Sequence, residues 1–398
     1  QEQWQLLIGG EWTSTASTYE IVDPNTTAVV GHAPDATVAD AEAAIAAAKA
    51  ALPGWAATSP AERGAMLQRL ADILRVQAPT WSALVQAETG ATINVAESLQ
   101  VGPNLADRYL QYAVPRNLDR AELPVTQGAS ALGPAGLVGA AVYHRPIGVV
   151  ACITSYNFPL VNVAGKLAPA LAMGNTCIIK PAPQDPLAVL RLGEAVVEAG
   201  FPPGVVNILT SAGTEAPAAL IASPDVQMVS FTGSSAVGTR IISAGAPTMT
   251  RVLMELGGKG AMVMTDDADI SKAVGAIASV WGFHSGQICT APTRVICHRS
   301  KIGELVDNLT AVAGMLKVGD ATERDTLVGP VVEAYPAVGR WRALALLGLG
   351  ALALGGHLPR VAGALQAAQS PSDDLSSAIS ELLQLRRCTR AASAATEA

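Results

Sequence analysis

The chain has no long run of Lys or Arg, no even set of cysteines and no apolar stretch long enough to cross a bilayer. Each absence removes a class of function. With 398 residues, a net charge of -7 and no basic patch, nucleic acid is excluded as a main partner. Five scattered cysteines make no disulfide framework and point to a reducing cytoplasm. The richest apolar run, Ala343 to Gly356, is too short and too full of Gly for a membrane span. The opening Gln1-Glu-Gln-Trp-Gln has no basic segment before an apolar core, so no signal peptide is expected. It has no initiator Met either, so a few preceding residues are expected to be missing. The Gly-x-Gly-x-x-Gly fingerprint of the usual dinucleotide fold is also lacking from the first strand-helix turn.

What is present is an ordinary globular composition, half of it hydrophobic and 15% charged, with enough chain for two or three domains. The first segment reads as strand, Gly9-Gly10 turn and strand, and a second pair follows around Pro24-Asn25. Thr37 caps a helix expected to stop at Pro53-Gly54. Further helices are predicted over 60–77, from about 80 to Gly90, and over 95–113. Residues 123–143 lose helical period and read as a hairpin-like arm.

From Arg145 the pattern alternates. Strands are predicted over 148–153, 176–180, 205–209, 227–231 and 251–255, with helices over 161–172, 186–199, 215–222 and 236–244 between them. Such alternation implies a parallel sheet with helices on both faces, and ligands bind beyond the carboxyl ends of its strands. Asn157, Lys180, Gly213, Thr232-Gly233-Ser234 and Glu255 fall at those ends. Singly, each has a plain structural reading. Asn157 fits a loop turn, Lys180 a solvated strand end and Gly233-Ser234 a helix N-cap.

The cysteines are not equivalent. Cys152, Cys177 and Cys297 sit in short apolar or β-branched runs that read as buried strands, where a thiol is a small inert hydrophobe. Cys388 lies in an Arg-rich tail. Cys289 alone follows a Gly-Gln step and precedes a Thr-Ala-Pro turn, a setting in which backbone amides can favour a thiolate.

Taken together, Ser155-Tyr-Asn-Phe-Pro159, Gly174-Asn-Thr-Cys-Ile-Ile-Lys-Pro181, Phe201-Pro-Pro-Gly-Val-Val-Asn207, Phe231-Thr-Gly-Ser234, Glu255-Leu-Gly-Gly-Lys259 and Gly286-Gln-Ile-Cys289 resemble the aldehyde dehydrogenase superfamily, in its order and approximate spacing. The resemblance covers residues 3–332. It implies an α/β fold, with a Rossmann-type parallel-sheet domain for NAD or NADP over 1–122 and 144–255. An oligomerisation arm would occupy 123–143, and an incomplete α/β catalytic domain 256–335. The partners implied are a small-molecule aldehyde and, were the C-terminus complete, further copies of the chain in a homo-dimer or homo-tetramer. No metal is implied.

In that reading, an NAD(P)-dependent enzyme oxidises an aldehyde to the carboxylic acid. Cys289 attacks the carbonyl, giving a thiohemiacetal and then, after hydride transfer, a thioester. The Asn157 side-chain amide and the Cys289 N–H hold the oxyanion. Glu255 is the general base for the hydrolytic water, a role that favours an apolar setting. Lys180 hydrogen-bonds the adenosine ribose, and Ser234 meets the pyrophosphate at a helix start. Thr154, Ser155, Tyr156, Gly213, Phe231, Thr232, Gly233, Leu256 and Gly257 complete the cofactor-binding set, with Gly257 where backbone must come close. Lys166 is assigned to structure before catalysis. His284 fits a loop-orienting residue better than a substrate contact.

Some positions depart from the family. Tyr156 stands where Trp is usual, and should still pack. Pro183 replaces the carboxylate that would bind the ribose 2′-hydroxyl, so NAD and NADP both stay open, NAD being favoured. Beyond about residue 335 the pattern becomes an Ala, Leu, Arg and Ser mixture without Lys, which reads as out-of-frame or aberrant sequence over 336–398. The segments around Cys289 and after Lys180 look most like bacterial dehydrogenases for aromatic aldehydes of the benzaldehyde or vanillin type. Two alternatives stay beside the oxidising enzyme: a relative that passes the acyl group to coenzyme A, and a catalytically impaired nucleotide-binding fragment.

Overall fold

Thr37 and Ser59 open successive helices by the same reciprocal bond. Each hydroxyl accepts from the N–H three residues on, while Asp40 and Glu62 reach back to the cap's own N–H. A computed structural model describes residues 3–114, 121–130, 133–142 and 144–332, and of 121–140 the backbone alone. The predicted 336–398 tail and Cys388 lie outside the described residues.

The chain opens with β1 (Leu6–Ile8), β2 (Glu11–Thr13), β3 (Thr18–Val22) and β4 (Val29–Pro34). Gly9 and Gly10, at φ of 62° and 87°, make the tight turn between the first two. Helices α1 (Val38–Ala57) and α2 (Pro60–Gln77) follow. The expected stop at Pro53 is overturned: α1 runs on to Ala57. Pro53 removes one helical bond at a cost of about 3 kcal/mol. Trp55 offsets it, being buried with its ring 5.6 Å from that of Phe201. Burial of such a side chain is worth about 3–5 kcal/mol against truncation.

Next come α3 (Ser82–Thr89), ended by Gly90 at φ 66°, and the single turn α4 (Ile93–Val95). The predicted continuous helix over 95–113 is broken. A wider turn at Ala96–Gln100 gives way to α5 (Pro103–Ala113), because Gly102 is extended and Pro103 restarts the helix at its first position. The hairpin expected over 123–143 is β5 (Ala121–Ser130) paired antiparallel with β6 (Gly133–Val142).

The alternating half gives β7 (Val149–Ile153), α6 (Pro159–Ala172), β8 (Thr176–Lys180), α7 (Leu187–Glu198), β9 (Val206–Ile208), α8 (Glu215–Ala222), β10 (Met228–Gly233), α9 (Ser235–Gly245) and β11 (Arg251–Leu256). The last described part holds β12 (Ala261–Met264), α10 (Ile270–Trp281), β13 (Arg294–Cys297) and α11 (Ile302–Met315).

Two units emerge. The first comprises the chain up to Glu20 with Gly31–Trp81 and Leu99–Glu255. Its seven-stranded sheet runs β11-β10-β7-β8-β9-β1-β2. β10, β7, β8 and β9 are parallel, and β1 and β2 add an antiparallel margin that alternation alone does not reveal. Thr176 donates its hydroxyl to the Ala48 carbonyl on α1, and Tyr109 of α5 lies beside Cys177 and Cys152. Successive residues of a strand point to opposite faces, so helices cover both. Cys152 and Cys177 are fully buried, as expected.

The second unit comprises Ile21–Val30, Ser82–Ser98 and the described residues from Leu256 onward. β12 pairs in parallel with β13, and Met264, Ile270, Val274, Ile277, Leu305 and Leu309 form its core. Cys297 corrects the expectation of a buried spectator. It is half-buried on a partly exposed strand of a two-stranded sheet.

Candidate active site

The strand order of the first unit fixes where a ligand can sit. From β7 the chain steps to β8 and β9 on one side, then crosses back to place β10 on the other. That reversal leaves a crevice beyond the carboxyl ends of β7 and β10, the usual ligand position in such sheets. The loop Thr154–Pro159 leaves β7 there, and Thr232-Gly233-Ser234 leaves β10.

Thr154 is 4% exposed, and its hydroxyl has no hydrogen-bond partner among the described residues. A buried polar atom of this kind, at the switch point, suits a site that takes a polar ligand. Its N–H donates to the Lys180 carbonyl at 3.1 Å, joining the ends of β7 and β8. Lys180 is 7% exposed rather than solvated, and its ammonium donates to the Ser211 carbonyl at 3.2 Å. Burial pushes its pKa down to about 8, with Asp185 and Asp35 opposing the shift. Gly213 is exposed just beyond, its carbonyl accepting from the Ser211 hydroxyl at 3.2 Å.

Ser234 is the exposed N-cap of α9, its hydroxyl accepting from the Val237 N–H at 3.3 Å. Phe231 is buried, and a Cβ on Gly233 would lie 2.4 Å from its ring, so that turn requires glycine. Thr232 is half-buried between them. Gly257, where the backbone is expected to come close to a cofactor, is exposed. A Cβ there would meet open space among the described residues, because the glycine is exposed past the end of edge strand β11. Leu256 is half-buried.

Asn157 is half-buried just ahead of α6, and three groups hold it. The Ser155 hydroxyl donates to its Oδ1 at 2.8 Å, the Asn162 amide to the same atom at 3.3 Å, and Gln100 Nε2 to its carbonyl at 3.1 Å. Asn162 and Gln100 were not legible as site residues. The available signal is a lone amide in the apolar run Leu160-Val-Asn-Val-Ala164. Tyr156 is 40% exposed on the loop outside the sheet.

Lys166 is buried on α6 and donates to Ser230 Oγ on β10 at 3.2 Å. Burial lowers its pKa, while Cys152 and the Glu255 carboxylate favour its charge. Glu255 itself is exposed rather than set in an apolar site, since β11 is the margin of the sheet.

The second unit carries Cys289, exposed on a loop of unusual backbone. His284, Ser285 and Gly286 take φ of 49°, 54° and 74° in succession. Positive φ at two non-glycine residues costs free energy that the surroundings must offset. They do so by pinning the loop. The His284 carbonyl accepts from the Gln287 N–H at 3.0 Å and from its Nε2 at 3.2 Å. Ser285 Oγ donates to the Gly329 carbonyl at 2.8 Å, and Gln287 Oε1 accepts from the Val332 N–H at 3.1 Å. His284 is buried, in keeping with a loop-orienting part.

A doubly covered parallel sheet with a buried hydroxyl at its switch point, and an exposed thiol on a pinned loop, define an α/β protein with a candidate nucleophile. Comparison with known proteins makes that specific. The model of the aldehyde dehydrogenase family matches residues 12–356, and the chain belongs to that family. A mitochondrial aldehyde dehydrogenase of Leishmania tarentolae is 36% identical over 342 residues, 83% of this chain and 65% of that protein. The phenylacetaldehyde dehydrogenase of Pseudomonas fluorescens is 35% identical over 334 residues, 82% of this chain and 66% of that protein. The solved structure of PnpE in complex with nicotinamide adenine dinucleotide superposes with a TM-score of 0.77 at 36% identity, covering 83% of this chain and 67% of that one. The chain thus spans just under two thirds of the length of these curated relatives. No helix among the described residues is long and apolar enough to cross a membrane.

Proposed function

We propose that this chain carries an NAD(P)-dependent aldehyde dehydrogenase activity, oxidising an aldehyde to its carboxylic acid through Cys289. The observation that carries the reading is the pairing of two features in a member of this family. One is the polar crevice at Thr154, Lys180 and Ser234, and the other is the exposed Cys289 on its pinned loop.

Residues 1–122 and 144–255 would bind NAD or NADP, with Lys180 toward the adenosine ribose and the start of α9 toward the pyrophosphate. The buried Thr154 hydroxyl, without a partner among the described residues, supports that assignment. When bound, the nicotinamide supplies the hydride acceptor. The chain's own part begins with the Cys289 thiolate adding to the aldehyde carbon, so that the carbonyl oxygen becomes an oxyanion. Asn157 Nδ2 and the Cys289 N–H donate to that oxygen. Loss of the hydride leaves a thioester on Cys289. Glu255 then takes a proton from water as the water attacks the thioester, releasing the acid and restoring the thiolate. An exposed Glu255 is suited to meeting water, which favours hydrolysis over transfer to coenzyme A.

Residues 256–335 would belong to the catalytic domain, the β5–β6 hairpin would join copies of the chain as an oligomerisation arm, and the cytoplasm would be its compartment. Because one relative acts on phenylacetaldehyde, an aryl aldehyde is the first substrate to assay. The test is NADH or NADPH formation on phenylacetaldehyde with and without coenzyme A. Acid formation independent of coenzyme A supports the proposal. An acyl-coenzyme A product favours the acylating alternative. Nucleotide binding without reduced cofactor on any aldehyde favours the impaired fragment.

A further inference from the structure

The Asn157 side chain belongs to a closed ring of three. Its Oδ1 accepts from Ser155 Oγ at 2.8 Å and from Asn162 Nδ2 at 3.3 Å, and Asn162 Nδ2 also donates to Ser155 Oγ at 3.1 Å. The backbone of the same residue is fixed independently by fully buried Gln100, whose Nε2 reaches the Asn157 carbonyl at 3.1 Å.

A carboxamide has two ends of nearly the same shape and opposite polarity, one donating and one accepting. With Oδ1 committed to the ring, Nδ2 is turned away from Ser155 and Asn162. The Ser155 hydroxyl cannot enforce this alone, because it can donate to an oxygen or accept from an amide. The ring closes in only two ways, with both amides as found or with both reversed. The polarity of Asn157 is therefore tied to that of Asn162. In the reversed state Asn157 would offer an oxygen to the developing oxyanion, which repels where stabilisation is needed.

We propose that Asn162 is a positioning residue that holds the Asn157 carboxamide with its nitrogen toward the reacting carbonyl. The proposal rests on the reading of Asn157 as the oxyanion donor, and the variants separate the two. Asn162→Asp replaces the donor by an acceptor and selects the reversed ring whenever the new carboxyl is ionised. At pH 8 its kcat on phenylacetaldehyde should fall by about 10²-fold, the usual cost of one oxyanion donor, while its Kd for NAD stays within about twofold of wild type. As pH falls and the carboxyl is protonated it can donate again. The deficit relative to wild type at the same pH should then shrink, which a merely structural defect would not do. In an Asn157→Ala background the same substitution should cost nothing further.

An unchanged kcat in Asn162→Asp beside a deep loss in Asn157→Ala overturns the proposal, as does full additivity in the double variant. If Asn157→Ala leaves kcat unchanged, the oxyanion reading is what fails. The ring is then judged without turnover, by the side-chain amide 15N–1H signal of Asn157. In Asn162→Asp that signal should titrate with the new carboxyl, whereas a signal that ignores pH overturns the coupling.

Discussion

Lys180 keeps an ammonium where its surroundings disfavour one. Burial lowers its pKa to about 8, so the group is charged below that pH and neutral above it. A 2′-phosphate on the adenosine ribose gains from the charge more than a 2′-hydroxyl does, and Pro183 supplies no carboxylate to repel it. Affinity for NADP relative to NAD is therefore expected to fall as pH rises from 7 to 9. Lys180→Gln should remove most of that dependence, and calorimetric titration of both nucleotides at the two pH values checks it. The place of Lys180 at the end of β8 was legible in the sequence, because it closes an apolar run. The ring around Asn157 was not. Ser155 and Asn162 meet through a helix start, and nothing in either residue's neighbours announces the pairing.

Between elements, close approach sets the tolerances. A Cβ on Gly64 of α2 would lie 2.3 Å from the Ala113 carbonyl at the end of α5. Gly64→Ala must therefore push the helices apart. The expected loss is about 1–2 kcal/mol, overpacking outweighing the better helix propensity of alanine, and denaturant unfolding reads it. A more stable variant would mean that α5 yields without cost. Capped helices and apolar parallel strands could be read along the chain because their signals are local. The run of α1 through Pro53 and the break before Pro103 could not, since one depends on where Trp55 packs and the other on two residues inside a helical pattern. The antiparallel margin of β1 and β2 pairs residues some two hundred positions apart, as in Leu7 opposite Ile208, and no sequence period carries that information.

At the scale of the molecule, the strand order supplies the crevice and the family supplies its meaning. Alternation of strands and helices implied the layers, but only the crossing of β10 to the far side of β7 identifies the switch point. Cys289→Ala should abolish aldehyde-dependent reduction of the cofactor and leave its Kd nearly unchanged. Retained turnover would remove Cys289 from the chemistry. The most direct measurement is the mass of Glu255→Gln after incubation with NAD and phenylacetaldehyde. With deacylation blocked, one equivalent of NADH should appear and the peptide bearing Cys289 should gain a phenylacetyl group. An unmodified Cys289, or an acyl group on any other cysteine, would contradict the account.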